Sequence, residues 1–202
     1  MAWIIATKLE MTRVVKEERL IPITLLQVPE LRVIGFKTLE KDGYDAIIVW
    51  VLKSGDASVE LAEWKSTLNK ELFEKIKEFP VSEEEKQIYQ IGSPVSLDVL
   101  EGDIKVTIEG ISKWHWFTWA MKKHNFSWGA KTHGSKFHRA LGSIGNRKPK
   151  RTHKGKKMHG HDGCEKVTIK WVPVELVNKE INVIWVRWAI PGGRNSYVNI
   201  IF

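Results

Sequence analysis

The stretch YDAIIVWVL, residues Tyr44–Leu52, sets the fold class of this chain. It is rich in β-branched residues and is apolar without interruption from Ala46 to Leu52. An apolar run of this length indicates a strand that is covered on both faces. The turn sequence KDG at Lys41–Gly43 joins it to a shorter strand pattern at Leu31–Phe36. The sequence therefore predicts a mainly β protein in which Tyr44–Leu52 is a central strand.

Strand patterns also flank this stretch toward both ends of the chain. Before it, Arg19–Val28 reads RLIPITLLQV, and after residue 166 come VTIKWV, INVIWVRWAI and YVNIIF. Short strands at both ends, separated by a long segment without period, are typical of a barrel that the N- and C-terminal parts close together. We therefore expect a β-barrel.

One segment has the period of a helix instead. Apolar residues recur there every three or four positions, at Leu61, Trp64, Leu68, Leu72, Ile76 and Phe79. This spacing predicts an amphipathic helix that ends at Pro80. It lies in a helical insert of about residues 57–86.

The charge of the chain is distributed unevenly. The net charge is +8, yet no Asp or Glu occurs from Gly110 to His161, where 13 Lys and Arg residues and all seven His residues fall. Outside that segment, the remaining 19 basic residues meet 24 acidic ones, a net charge of −5. The sequence thus contains two parts of opposite charge.

The carboxylate-free segment cannot fold by burying its own side chains, because its apolar residues other than Trp are few and have no period. A polyanion with many phosphates would order it through charge neutralisation and counterion release. We therefore expect a barrel formed by residues 1–111 and 162–202, and a basic arm, residues 112–161, that binds RNA.

Other interpretations of the basic arm stay open. It could be a solvated basic loop, or a free-standing basic RNA-binding module. A metal-dependent nuclease is a further alternative, since HGHDGC at His159–Cys164 offers potential ligands. However, these residues lack the spacing of a zinc site, and the arm has no paired carboxylates that could hold a catalytic metal. A nucleophilic Cys164 has no local signature either.

The cysteine content and the apolar segments of the sequence indicate the cellular compartment. The single cysteine, Cys164, cannot form an internal disulfide, which favours a reducing cytosol. The N-terminal sequence MAWIIATKLEMTR lacks the pattern of a signal peptide, and nowhere do 18 apolar residues follow one another. We expect a cytosolic, soluble protein.

Longer motifs resemble a known family. The run GISKWHWFTWAMKKHNFSWGAKTHGSKFHRALGSIG, then KPKRTHKGKKMHGHDG, then VTIKWV and VRWAIPGG, is similar to the bacterial large-subunit ribosomal protein L-three family. The part HGSKFHRALGSIG, His133–Gly145, is the most specific. The opening AWIIATKLEMT and the segment TLNKELFEKI also resemble that family, so the similarity spans nearly the whole chain.

The resemblance implies both a fold and a role. The fold would be a translation-protein-type β-barrel whose arm reaches through ribosomal RNA toward the peptidyl-transferase region. The protein would support assembly of the large subunit in the cytoplasmic ribosome and would not be an enzyme. Its partners would be large-subunit ribosomal RNA and neighbouring ribosomal proteins, with no membrane, small-molecule substrate, metal or other cofactor.

The resemblance and the charge of the arm together suggest a set of RNA-binding residues. Lysines and arginines would bind phosphates, and histidines and a serine would add hydrogen bonds or stacking. These residues are Lys113, His115, Lys122, Lys123, His124, Lys131, His133, Ser135, Lys136, His138, Arg139, Arg147, Lys148, Lys150, Arg151, Lys154, Lys156, Lys157 and His159.

The tryptophans depart from the family pattern in a consistent way. The family carries glycine where this sequence has Trp3, Trp114, Trp116, Trp119, Trp128 and Trp188, and Trp50 is a further such position. Trp64, Trp171 and Trp185 do not match a glycine of the pattern clearly. We interpret the tryptophans at glycine positions as encoded by UGA codons, which are translated here as tryptophan but are read as glycine by the source cell. The alternative is that the tryptophans of the arm stack on RNA bases.

Overall fold

The computed structural model describes residues 3–52, 73–82, 86, 89–95, 97, 100 and 104–202, and the chain is mainly β, as the sequence predicted. The described helices are short: α1 is Leu39–Asp42 and α2 is Ala120–His124. The strands are β1 Trp3–Lys16, β2 Arg19–Gln27, β3 Leu31–Lys37, β4 Ala46–Leu52, β5 Phe73–Pro80, β6 Lys105–Ile111, β7 His115–Thr118, β8 Gly160–Asp162, β9 Lys166–Asn178, β10 Val183–Arg187 and β11 Tyr197–Ile201.

Six of these strands form a barrel. They are hydrogen-bonded in the order β1-β11-β6-β9-β10-β2, and β2 pairs again with β1. The first and last strands of the chain are neighbours, with Ile4 opposite Ile200. Alternate side chains point inward and form the core, which includes the fully buried Ile23, Ile108 and Ile184.

The central strand predicted from YDAIIVWVL is confirmed. β4 lies between β3 and β5 in an antiparallel three-stranded sheet. Its buried residues include both Val49 and Trp50, which point to opposite faces because side chains alternate along a strand. Coverage of both faces explains why the apolar run of β4 has no polar interruption.

The prediction of a helix ending at Pro80 is wrong over Phe73–Pro80, which is strand β5. The rest of that helix, residues 61–72, lies outside the described residues. In β5, Phe79 is buried and pairs with Ile47 of β4. The Lys75 ammonium lies 4.5 Å from the centroid of the Tyr197 ring. Pairing with the neighbouring strand thus outweighs a local spacing that also fits a helix.

Two compact units make up the chain. One comprises Met1–Ile111 with Lys166–Phe202 and contains the barrel, and the other, here called the arm unit, is Ser112–Glu165. In the described part of the chain, none of the helices has the length and apolar character needed to span a membrane.

Candidate nucleic-acid interface

The two ends of the arm unit are hydrogen-bonded to each other. The Ser112 amide donates to the Glu165 carbonyl oxygen over 2.9 Å, and the Glu165 amide donates to the Ser112 hydroxyl over 3.2 Å. Beyond this pair, β7 and β8 run antiparallel, with His115 opposite Asp162 and Thr118 opposite Gly160. A long irregular segment therefore leaves and returns through a fixed, strand-paired base.

Gly163 makes that base possible. Its φ is +80°, a left-handed conformation that favours glycine, and a Cβ at this position would lie 1.9 Å from the Lys113 carbonyl oxygen. The His115 Nδ1 atom would be 3.2 Å from the same Cβ. Only a residue without a side chain allows the two segments to approach so closely.

Helix α2 follows β7 and presents positive charge. Ala120 and Met121 are buried, while the last turn carries Lys122, Lys123 and His124. The helix ends at Asn125, whose φ of 56° is left-handed, a common way to terminate a helix. The His124 Nε2 atom lies 2.9 Å from the Met158 carbonyl oxygen, so α2 is attached to the returning half of the arm.

Residues 125–159 contain neither helix nor strand. The Gly129 amide donates a 3.1 Å hydrogen bond to the His138 carbonyl oxygen. A Cβ on Gly129 would lie 1.9 Å from the Phe137 carbonyl oxygen, so glycine is required there too. The Arg139 guanidinium lies 4.5 Å from the centroid of the Trp128 ring.

All nineteen residues predicted to bind RNA lie in the arm unit, and none of them is buried. Fifteen are exposed, and the four of intermediate burial are Lys123, His124, Ser135 and His138. Sequence reasoning left out two histidines of the same unit, His153 and His161, although both lie in the carboxylate-free segment. His153 is exposed and is equally able to donate to phosphate.

Among the described residues, no acidic side chain forms an ion pair with a lysine or arginine of the arm unit. The ion pairs of these residues all lie in the barrel-containing unit. The arm unit holds only two carboxylates, Asp162 and Glu165, near its base. Its cations are therefore available to an external polyanion.

Among the described residues, no group of three His, Cys, Asp or Glu side chains is placed to hold a metal ion. Cys164 is exposed and forms no disulfide.

Several known proteins similar to this chain share one name. The large ribosomal subunit protein uL3 of Fervidobacterium nodosum is 36% identical, with 99% of this chain and 97% of that protein covered. The uL3 proteins of Syntrophus aciditrophicus and Borrelia hermsii are 37% and 38% identical, each over 98% of this chain and over 91% and 95% of their own lengths. No family model matches the chain. Identity at this level over nearly the full length of both proteins shows that the chain belongs to the uL3 family of large ribosomal subunit proteins.

Proposed function

We propose that this protein is a structural constituent of the large ribosomal subunit and that it binds large-subunit ribosomal RNA through the basic arm. The observation that carries the proposal is the set of exposed lysines and arginines that form no ion pair with any described residue, in a unit that holds only two carboxylates. Its role is assembly and positioning within the cytoplasmic ribosome, not catalysis. Neighbouring ribosomal proteins are its other partners.

The two compact units support a division of labour. The barrel of residues 1–111 and 162–202, of the translation-protein type, would be the folded anchor, and residues 112–161 would reach through ribosomal RNA toward the peptidyl-transferase region. The base of the arm unit, where Ser112 and Glu165 are hydrogen-bonded, fits a boundary between anchor and arm. Of the helical insert expected over about residues 57–86, the part that overlaps Phe73–Pro80 is strand β5, and residues 57–72 lie outside the described residues.

RNA would supply the free energy that orders the irregular part of the arm. Residues 125–159 expose most of their side chains, so apolar burial offsets little of their conformational entropy. Phosphates that neutralise the exposed cations release bound counterions and provide the missing stabilisation. Histidines and Ser135 add hydrogen bonds to riboses, bases and phosphates in fixed places.

A salt series tests this mechanism. The full chain is titrated with a folded fragment of the large-subunit RNA, and the logarithm of the binding constant is plotted against the logarithm of the salt concentration. About eight to ten phosphate contacts predict a slope of roughly −6 to −9. A slope near zero contradicts the assignment of the arm.

A second RNA separates this role from that of a free-standing RNA-binding module. A short duplex of the same charge lacks the tertiary fold that the arm would enter. We expect much weaker binding to the duplex than to the folded fragment. Equal affinity for both would favour the free-standing module, and the protein would then be missing from large subunits washed in high salt.

A further inference from the structure

The backbone at two tryptophans has the geometry of glycine. Among the described residues, Trp171 has a φ of 62° and Trp188 a φ of 68°, both in the left-handed region. In that region the Cβ of an L-residue crowds the following carbonyl oxygen, so large side chains are rare there. Both residues lie in the barrel-containing unit, outside the arm.

Trp171 lies in a β-bulge of β9. Val106 of β6 pairs with Val172, and Ile108 pairs with Ile169, so that Lys170 and Trp171 together lie opposite one residue of β6. When a bulge holds a left-handed residue, that residue is normally glycine. The Trp171 side chain is 72% exposed and gains little from packing that could offset the strain.

The backbone of Trp188 is held by hydrogen bonds at both its amide and its carbonyl group. Its amide donates a 2.9 Å hydrogen bond to the Pro22 carbonyl oxygen, and its own carbonyl oxygen accepts a 2.6 Å bond from the Thr24 hydroxyl. The barrel therefore needs this backbone conformation whatever side chain is attached. The indole ring is 50% exposed and contributes little to the core.

Six other tryptophans lack the left-handed backbone of Trp171 and Trp188 and differ from one another in burial. Trp185, in β10, is half-buried and has no left-handed backbone. Trp3 is partly buried, and its indole nitrogen is buried without a hydrogen-bond partner among the described residues, which is costly. In the arm unit, Trp114, Trp116, Trp119 and Trp128 are 63%, 70%, 47% and 56% exposed.

We propose that the native protein carries glycine at positions 171 and 188, and that the four exposed tryptophans of the arm unit arise from the same codon, which the source cell reads as glycine. Glycine relieves the strain at the bulge and after β10. In the arm it leaves the main chain open, so that backbone amides can approach phosphates closely. This inference is independent of whether the arm binds RNA.

Peptide sequencing of the native protein tests the proposal directly. Trypsin cleaves after Lys170 and Arg187, so the peptides 171–179 and 188–194 each begin at a residue in question. The protein is taken from ribosomes or extracts of the source cell and sequenced by tandem mass spectrometry. We expect glycine as the first residue of both peptides, and tryptophan in either would overturn the proposal.

A thermal melt of the recombinant full chain checks the structural argument. In a chain made with tryptophan at every such codon, Trp171→Gly and Trp188→Gly should each raise the Tm. Trp185→Gly is the matched control and should lower it, because a half-buried ring is lost from an ordinary strand. If Trp171→Gly or Trp188→Gly lowers the Tm as much as the control, the backbone argument is wrong.

Discussion

The hydroxyl of Thr24 donates a 2.6 Å hydrogen bond to the main-chain carbonyl oxygen of Trp188, which is 164 positions later in the chain. Thr24 has no exposed surface, and it is one of only two buried polar side chains among the described residues. This bond ties β2 to the segment that follows β10. It fixes the position at which the chain leaves the barrel after its penultimate strand.

Replacing Thr24 by Val should therefore destabilise the barrel. Valine keeps the shape of threonine but removes the donor, and the Trp188 carbonyl oxygen is left without this bond in a partly buried place. We expect a loss of about 1 to 3 kcal/mol in the free energy of unfolding, measured with urea. Thr12→Val, at an exposed position of β1, is the control and should change stability by about 0.5 kcal/mol or less.

The surroundings of Glu175 predict how the stability of the barrel depends on pH. Burial alone would raise the pKa of Glu175, but hydrogen bonds from Lys16 and Arg187 lower it below its ordinary value of 4.5. The Arg187 Nε atom lies 2.6 Å from the carboxylate. A carboxyl group with a lowered pKa stabilises the fold above its unfolded-state pKa, and this contribution is lost as the pH falls through its folded-state pKa.

Glu175→Gln should consequently be less stable than the parent chain at pH 7, by about 1 kcal/mol because the cations are partly exposed. Between pH 5 and pH 3 we expect this difference to shrink. Urea unfolding across this range measures it. Glu180→Gln, at an exposed carboxylate, is the control and should change stability by about 0.5 kcal/mol or less. A constant gap between Glu175→Gln and the parent chain would contradict the linkage.

We predict that RNA binding needs the close approach of the Gly163 backbone to the Lys113 carbonyl oxygen at the base of the arm. Gly163→Ala places a methyl group 1.9 Å from the Lys113 carbonyl oxygen. Gly134 has a similar φ of +77°, but a Cβ there meets nothing within 4 Å, so Gly134→Ala is a matched control. Both variants carry a left-handed strain of about 1 to 2 kcal/mol, and only Gly163→Ala adds a clash of about 1 to 3 kcal/mol.

We therefore expect Gly163→Ala to bind the folded ribosomal RNA fragment roughly tenfold more weakly than Gly134→Ala does. A filter-binding or fluorescence titration at one fixed salt concentration measures the ratio. If both alanines have the same effect, the base of the arm adapts to a side chain and the close contact has no role in binding.

The lysines that precede β8 on the returning half of the arm should contribute to the salt dependence. The triple variant Lys154→Gln, Lys156→Gln and Lys157→Gln removes three exposed cations. If each neutralises one phosphate, the slope of the salt plot becomes shallower by about 2 in total. The measurement is the same salt series with the folded RNA fragment.

A barrel variant with the same loss of charge provides the control. It replaces Arg19, Lys41 and Lys105, all exposed, by Gln. We expect its salt slope to stay close to that of the parent chain, since the arm is intact. An equal change of slope in both triple variants would mean that overall charge, not the arm, determines binding.

How much the sequence could predict depended on whether a pattern was local. The strand β4 was predictable because an apolar run of seven residues leaves few alternatives, and the cations of the arm were predictable from the absence of carboxylates. In contrast, the spacing of Ile76 and Phe79 fits a helix as well as a strand. Pairing of β5 with β4 decides between them, and that contact is distant in sequence.

The geometry of the candidate site could not be predicted from the sequence for the same reason. Nothing near Gly163 in the sequence shows that the Lys113 carbonyl oxygen will lie against it, fifty positions earlier in the chain. The left-handed backbone of Trp171 likewise depends on a register shift against β6. Residue types were readable from the sequence, whereas distances between separated segments were not.

The hydrogen-bonded pair of Ser112 and Glu165 makes the arm a loop that is closed at its root rather than a loose tail. A closed loop cannot be pulled end-first through a finished ring of nucleotides. If the arm enters ribosomal RNA as proposed, that RNA would instead close around it while the RNA is still open. The protein would then join the growing particle early, before the neighbouring RNA helices have locked into place.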